Sequence, residues 1–286
     1  MSGIILCFGL GYSARVLAQR LSARGWEVRG TTRGSDKAAA FAAAGWPAFV
    51  FDRAHGLPAE ALRGVTHVLT SIAPDEAGDP VLDRHGAELQ ALPSLAWVGY
   101  LGTTAVYGDR QGDWVDEATP IEPTLARADR RARAEAAWLA SGLPVHIFRL
   151  AGIYGPGRNA LVNLKEGTAR RIVKPGQTFS RIHVEDIATV LEASIGRPRP
   201  GAIYNVCDDE PAPPQDVVSY AAELLKVAPP PEQPYATADL SPMARTFYKD
   251  NRRVRNDLIK DELGVRLAYP DYRAGLSSLL AVDGGT

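Results

Sequence analysis

The chain has 286 residues, 45% hydrophobic and 23% charged, with 32 basic against 33 acidic side chains and a formal charge of −1. Such a composition excludes a disordered chain, which would carry fewer apolar residues and more net charge, and it supplies no electrostatic drive toward nucleic acid or an anionic membrane. Two cysteines, Cys7 and Cys207, are too few for a disulfide framework or a cysteine-based zinc site, so no metal is expected. The start of the chain runs directly into a glycine turn and Arg15, which predicts neither a signal peptide nor a spanning helix, and hence a cytoplasmic protein.

Short apolar runs alternate with longer helical patterns through the first half. The runs are Ile4–Phe8, Glu27–Thr31, Ala48–Phe51, His67–Ile72, Ala96–Tyr100 and Val145–Arg149. Between the first two, residues 14–24 place Leu17, Ala18 and Leu21 on one helical face, and Gly25 supplies the stop. Strands alternating with helices predict parallel pairing, right-handed crossovers and helices on both faces, which is an α/β doubly wound Rossmann sheet. After Tyr154 the rhythm changes: Gly155-Pro156-Gly157 breaks the chain, then come Arg181–His183, a helical run over 184–195 and a strand at Ile203–Val206. The proline-rich remainder suits a smaller, loop-rich C-terminal substrate lobe. The expected division is 1–155 plus roughly 184–208 for the nucleotide-binding part, and 156–183 plus 209–286 for the lobe.

The first strand ends in Gly9-Leu10-Gly11-Tyr12-Ser13-Ala14, a G-x-G-x-x-A turn opening a helix. Gly9 allows the tight turn, Gly11 lets the backbone approach a pyrophosphate, and small Ala14 lets helix and strand pack closely. The helix N-terminus then offers amide N–H groups and the positive dipole end to phosphates. At the end of the second strand the chain reads Gly30-Thr31-Thr32-Arg33, followed by Lys37. No carboxylate is present there to bind ribose hydroxyls, and Arg33 stands where a 2′-phosphate would lie, so NADP(H) is favoured over NAD(H). A solvated loop decorated by Arg33 and Lys37 is the alternative. Asp52, closing the third strand, suits either a contact to the adenine amino group or a cap of its own loop.

Further segments follow in order: Gly102-Thr103-Thr104-Ala105-Val106-Tyr107-Gly108-Asp109, Asp116-Glu117-Ala118-Thr119-Pro120, Arg149-Leu150-Ala151-Gly152-Ile153-Tyr154-Gly155-Pro156-Gly157-Arg158, and Arg181-Ile182-His183-Val184-Glu185-Asp186-Ile187-Ala188. With the glycine turn, and with Asn251 to Gly264 at the end, they make nearly the whole chain similar to the extended short-chain dehydrogenase/reductases, the NAD-dependent epimerase/dehydratase group. Among its subgroups the chain most resembles the atypical YeeZ-like proteins, which share the G-x-G-x-x-A form. The resemblance implies cofactor contacts from Thr32, Ser71, Ile72 and Ala73 (mostly through backbone), Thr103, Arg131, and Leu150, Ala151 and Gly152. It also implies a cleft beyond the C-terminal strand ends, between the sheet and the lobe, and a homodimer, since dimers are common in that superfamily.

The departures bear on chemistry. Active members carry a Tyr-x-x-x-Lys pair with a Glu four residues later; anchored on Glu135, the lysine falls on Arg131 and the tyrosine on Arg127. Arg131 still offers hydrogen bonds to ribose hydroxyls, whereas Arg127 stays protonated and is no general base. Thr103 matches the Ser/Thr that bonds the substrate oxygen. Thr104 and Ala105 replace an acidic pair, which argues against dehydration. Tyr107, Tyr154, His183 and Asp129 offer no convincing substitute base. At i, i+4 spacing Arg127, Arg131 and Glu135 share a face, with Arg131 and Glu135 placed to pair. That face is either a solvated surface or an anion-binding wall; a nucleic-acid patch lacks aromatic interleaving. Two functions stay open: an atypical NADP(H)-dependent oxidoreductase or epimerase-like enzyme on a small anionic molecule, with Thr103, Arg127 and Arg131 at the chemistry, or a non-catalytic dinucleotide sensor or scaffold.

Overall fold

The computed structural model describes residues 2–283. They form two compact units: residues 2–103, Ala126–Arg149 and Ala188–Tyr204 make the first, and Thr104–Leu125, Leu150–Ile187 and 205–283 the second.

The large sheet has seven strands: β1 (Ile4–Phe8), β2 (Glu27–Thr32), β3 (Ala48–Val50), β4 (His67–Thr70), β5 (Trp97–Thr103), β6 (Val145–Leu150) and β7 (Ile203–Val206). Their spatial order is 3-2-1-4-5-6-7. The pairings are parallel, with Cys7 opposite both Gly30 and Leu69, and Leu69 opposite Gly99. This is the doubly wound arrangement expected, with its change of direction between β1 and β4, the place where such sheets open a crevice.

The alternation of side chains explains why both faces are covered. Leu6, Phe8, Val68, Val98, Tyr100 and Ile147 pack into one core with Phe51, Val81 and Trp138. On the other face Trp97 stacks on His146 with ring centroids 5.7 Å apart, and its indole N–H donates to Ser194 Oγ at 3.0 Å. Leu17, Ala18 and Leu21 of the Tyr12–Ala23 helix are buried, as their spacing requires. The Pro80–Gln90 helix starts at Asp79, whose Oδ1 accepts from Val81 N and Leu82 N, with proline at the first helical position.

The second unit contains three two-stranded parallel pairs: Gly152–Tyr154 with Arg181–His183, Arg171–Val173 with Glu232–Pro234, and Trp114–Val115 with Arg253–Val254. Its main core gathers Tyr154, Leu161, Val217, Ala221, Tyr272, Leu276 and Leu279. Asp186, fully buried, accepts from Ala268 N and Tyr269 N at 2.8 and 2.9 Å. Both cysteines are buried and free, and burial pushes the Cys7 thiol up to about 12. No helix among the described residues is long and apolar enough to cross a membrane.

Candidate functional site

The chain leaves β1 at Phe8 and turns through Gly9, whose φ of +88° lies in the left-handed region that favours glycine. A Cβ there would stand 2.8 Å from Ser71 Oγ. The turn is held from both neighbouring strands. From β2, Thr31 Oγ1 accepts from Gly9 N at 2.8 Å and Thr31 O accepts from Leu10 N at 3.0 Å. Just past β4, Ser71 Oγ donates to Gly9 O at 2.7 Å. The Leu10 side chain lies so close over Gly30 that a Cβ there would be 1.9 Å from Leu10 Cδ1. Gly30 and Thr31 are not among the site residues expected from sequence; a glycine inside a strand was the available signal of close approach.

Gly11 is different in kind. Its φ of −85° is open to any residue, and a Cβ on it would meet only Gly9 O, at 4.0 Å. Nothing in the protein demands glycine there, so the open space suits a bound group that a side chain would displace. Gly11 also caps the Tyr12–Ala23 helix, with no side-chain cap and no acidic residue in the first turn. The positive end of that helix therefore has no carboxylate of its own, which is the condition for receiving an anion.

A cavity of about 530 Å³ opens in front of this turn, within the range of small-molecule sites. Of the expected cofactor residues, Gly9, Leu10, Gly11, Thr32, Arg33, Asp52, Ser71, Ile72 and Ala73 all line it, joined by Lys37, Arg53 and Asp75. Arg53 forks onto Asp75 at 2.6 and 2.8 Å and reaches Asp83 at 2.8 Å. That fork holds the Asp75 carboxyl below the usual range and ties the loop after β3 to the loop after β4. Asp52 Oδ1 accepts from Ala54 N and His55 N, both at 2.8 Å, and meets His55 Nδ1 at 2.9 Å. These bonds, the His55 backbone bond first, lower its pKa. Asp52 thus caps its own loop while lining the cavity, and any adenine contact is left to Oδ2.

Comparison with known proteins fits this geometry. No protein-family profile matches the chain. Protein YeeZ of Escherichia coli is 29% identical over 279 residues, 92% of this chain and 95% of that protein. The chain is a YeeZ homologue. A functionally unknown conserved protein from Silicibacter pomeroyi has a solved structure 55% identical to it, with a TM-score of 0.91 over 99% of this chain and all of that one. A putative NAD-dependent epimerase/dehydratase from Methylobacillus flagellatus is 26% identical, with a TM-score of 0.73 and 98% of each chain covered. The homologue has the NAD(P)-binding fold of the epimerase/dehydratase enzymes. The same fold is found in a Bacillus anthracis dTDP-glucose 4,6-dehydratase in complex with NAD (17% identical, TM-score 0.77, 98% and 96% covered). It recurs in a human epimerase family protein with NADPH (19% identical, TM-score 0.73, 99% and 100% covered).

The remaining expected residues of the YeeZ homologue lie outside the cavity lining. Tyr12, Ser13 and Ala14 begin the helix, Ser13 and Ala14 buried. Thr103 ends β5, while Arg127 and Arg131 sit one turn apart and half-buried on the Ala126–Leu139 helix. Arg131 Nη1 donates to Leu101 O at 2.9 Å and reaches Tyr100 Oη at 3.4 Å. Leu150, Ala151 and Gly152 belong to the second unit, the first two buried and Gly152 exposed.

The Arg131–Glu135 pair suggested by the i, i+4 spacing does not form. Glu135 is only 3% exposed and gives its carboxylate to Arg149, whose Nε lies 3.1 and 3.2 Å from the two oxygens and whose Nη2 also donates. A buried carboxylate takes the partner that is buried with it, and Arg149 on β6 is equally enclosed. Elsewhere in the arginine run, Arg133 pairs with Asp129 at 3.0 Å and Arg130 faces Glu76 at 3.9 Å. Among the described residues Arg131 enters no ion pair.

The tyrosines and the histidine near these segments are packed as structure. Burial pushes the Tyr100 phenol up to about 12. Tyr107, fully buried, donates to Asn205 Oδ1 at 2.8 Å. His183 is 1% exposed, its ring centroid 3.9 Å from that of Tyr269 and 5.2 Å from that of Tyr154.

Proposed function

We propose that the cavity at the glycine turn holds NADP(H), and that the protein is an atypical NADP(H)-dependent oxidoreductase or epimerase-like enzyme acting on a small anionic molecule. One observation carries the cofactor reading. A single cavity combines Gly11, whose Cβ direction no protein atom fills, with Arg33 and Lys37 just past β2, whose last residues Gly30, Thr31 and Thr32 carry no carboxylate. Bound there, the nicotinamide supplies a hydride donor or acceptor. The Gly9–Gly11 backbone and the helix N-terminus take the pyrophosphate. Arg33, exposed at the cavity edge, takes the 2′-phosphate with Lys37 beside it.

For chemistry, Thr103 bonds the substrate oxygen, Arg127 holds the anionic group of the substrate, and Arg131 reaches a ribose hydroxyl through Nε and Nη2, its Nη1 being engaged by Leu101 O. A second reading, a dinucleotide sensor or scaffold, is favoured by one specific observation. Of the groups Arg131 touches, the Tyr100 phenol is pushed up to about 12 and stays protonated, and a guanidinium is always charged, so neither accepts a proton at neutral pH.

The test is calorimetric titration of NADPH, NADP+, NADH and NAD+ into the wild type and Arg33→Ala. Micromolar NADPH binding weakened about tenfold in Arg33→Ala, with NADH unaffected, supports the site; no binding of any of the four refutes it. NADPH oxidation across a panel of small keto acids, lost in Arg127→Ala, supports the enzyme. Tight NADPH binding with no turnover on the panel supports the sensor.

A further inference from the structure

A second cavity, of about 330 Å³, lies wholly within the second unit, among the helices Ala160–Lys165, Pro214–Leu225 and Tyr272–Asp283. Ile153, Val217 and Leu276 give it apolar walls, and Arg158, Asn163 and Arg181 supply polar groups; no carboxylate lines it among the described residues. Arg181 Nη1 donates to Phe179 O and Ala212 O at 2.9 and 3.0 Å. Among the described residues its Nε and Nη2 make no hydrogen bond, and it enters no ion pair. Burial works against its charge and lowers its pKa.

The carboxyl nearest in effect is that of Asp208, which is 1% exposed, has neither oxygen hydrogen-bonded and is pushed by burial up to about 8. Asp208 favours the Arg181 charge from a distance, but it forms no ion pair with the guanidinium among the described residues, so Arg181 has no counter-ion in contact. A guanidinium set in an apolar wall without a counter-ion is costly, and an anion from outside relieves the cost. The Asn163 side chain, also lining the cavity, makes no hydrogen bond to the described residues and offers a second polar contact.

We propose that this cavity binds a small organic carboxylate with a short apolar tail, the carboxylate on Arg181 and Asn163 and the tail against Ile153, Val217 and Leu276. A planar carboxylate matches the guanidinium fork. Inorganic phosphate fits less well, because its remaining oxygens would be desolvated against the apolar walls. This site shares no lining residue with the glycine-turn cavity and stands whether or not the dinucleotide reading does.

The experiment titrates pentanoate, 1-pentanol and inorganic phosphate into the full chain by calorimetry, for the wild type, Arg181→Gln and Val218→Trp, with circular dichroism as the folding check. Pentanoate is expected to bind at least tenfold more tightly than pentanol or phosphate, and at least tenfold more weakly to both variants. Because Arg181 also holds two carbonyls, Arg181→Gln is at risk of misfolding, and Val218→Trp, which fills the cavity, then carries the test. No pentanoate binding at tens of millimolar, equal binding by folded Val218→Trp, or tighter binding of phosphate than of pentanoate would overturn the proposal. NADPH affinity, measured in parallel, reports separately on the other cavity.

Discussion

Replacing Gly11 by alanine should separate folding from binding. In the folded protein the new Cβ meets Gly9 O at 4.0 Å and nothing nearer, and a φ of −85° is comfortable for alanine. Alanine restricts the unfolded chain, a gain of about 0.4–1 kcal/mol, but is a poorer helix N-cap than glycine by up to about 1 kcal/mol. The two effects offset, so Tm should stay within about 2 °C of wild type. Gly9→Ala is the contrast: φ is +88° and the Cβ would press within 2.8 Å of Ser71 Oγ. Strain and crowding there should cost about 1–3 kcal/mol, seen as a fall of several degrees. Differential scanning calorimetry reads the first quantity and titration with NADPH the second. Gly11→Ala should weaken NADPH at least about tenfold, or 1.4 kcal/mol. Wild-type NADPH affinity in Gly11→Ala, or equal melting of the two variants, would refute the reasoning.

Two further predictions concern buried charge. Glu135→Ala should destabilise by about 3–5 kcal/mol, because it strands the buried Arg149 guanidinium, whereas Arg131→Ala, in no ion pair, should cost about 1 kcal/mol; urea midpoints of the two variants compare them. His146 is fully buried, its Nε2 accepts from Arg199 N at 2.8 Å, and burial lowers its pKa to about 4. The unfolded histidine takes up its proton near 6.5 and the folded one only near 4, so its contribution is intact above about pH 6.5 and lost as pH falls toward 4. Urea unfolding between pH 7 and 4.5 should therefore show a shallower acid loss in His146→Gln, by roughly 2 kcal/mol; an unchanged slope would remove His146 from the account.

What the chain discloses by itself follows the range of the forces involved. β1 is legible to the residue because a short strand covered on both faces leaves a continuous apolar run, and β7 is legible from Ile203, Tyr204 and Val206, strand formers on either side of Asn205. The β5 strand, expected at 96–100, runs on to Thr103, since a central strand flanked by β4 and β6 keeps its pairing through Gly102, where no propensity signal marks it. The strands at 114–115, 171–173, 232–234 and 253–254 pair with distant segments and are too short to show a period. At the site, the glycine turn and the basic residues after β2 are local and readable. Arg149 as the partner of Glu135, Thr31 and Ser71 as supports of Gly9, and the Arg53 fork are all contacts across the fold. Helical spacing proposed Arg131 for Glu135; burial on β6 decided otherwise.

The doubly supported peptide at Gly9 has one more consequence. With its N–H held by Thr31 Oγ1 and its carbonyl by Ser71 Oγ, the turn loses its conformational freedom when the sheet folds, and a ligand arriving later has little backbone left to order. Hydrogen exchange at the Gly9 amide then requires β2 to draw away from β1, which makes that amide a reporter of sheet opening rather than of loop motion. An adenosine fragment alone should meet a turn already in its final shape, so the fragments of a dinucleotide and the whole molecule would find the same backbone.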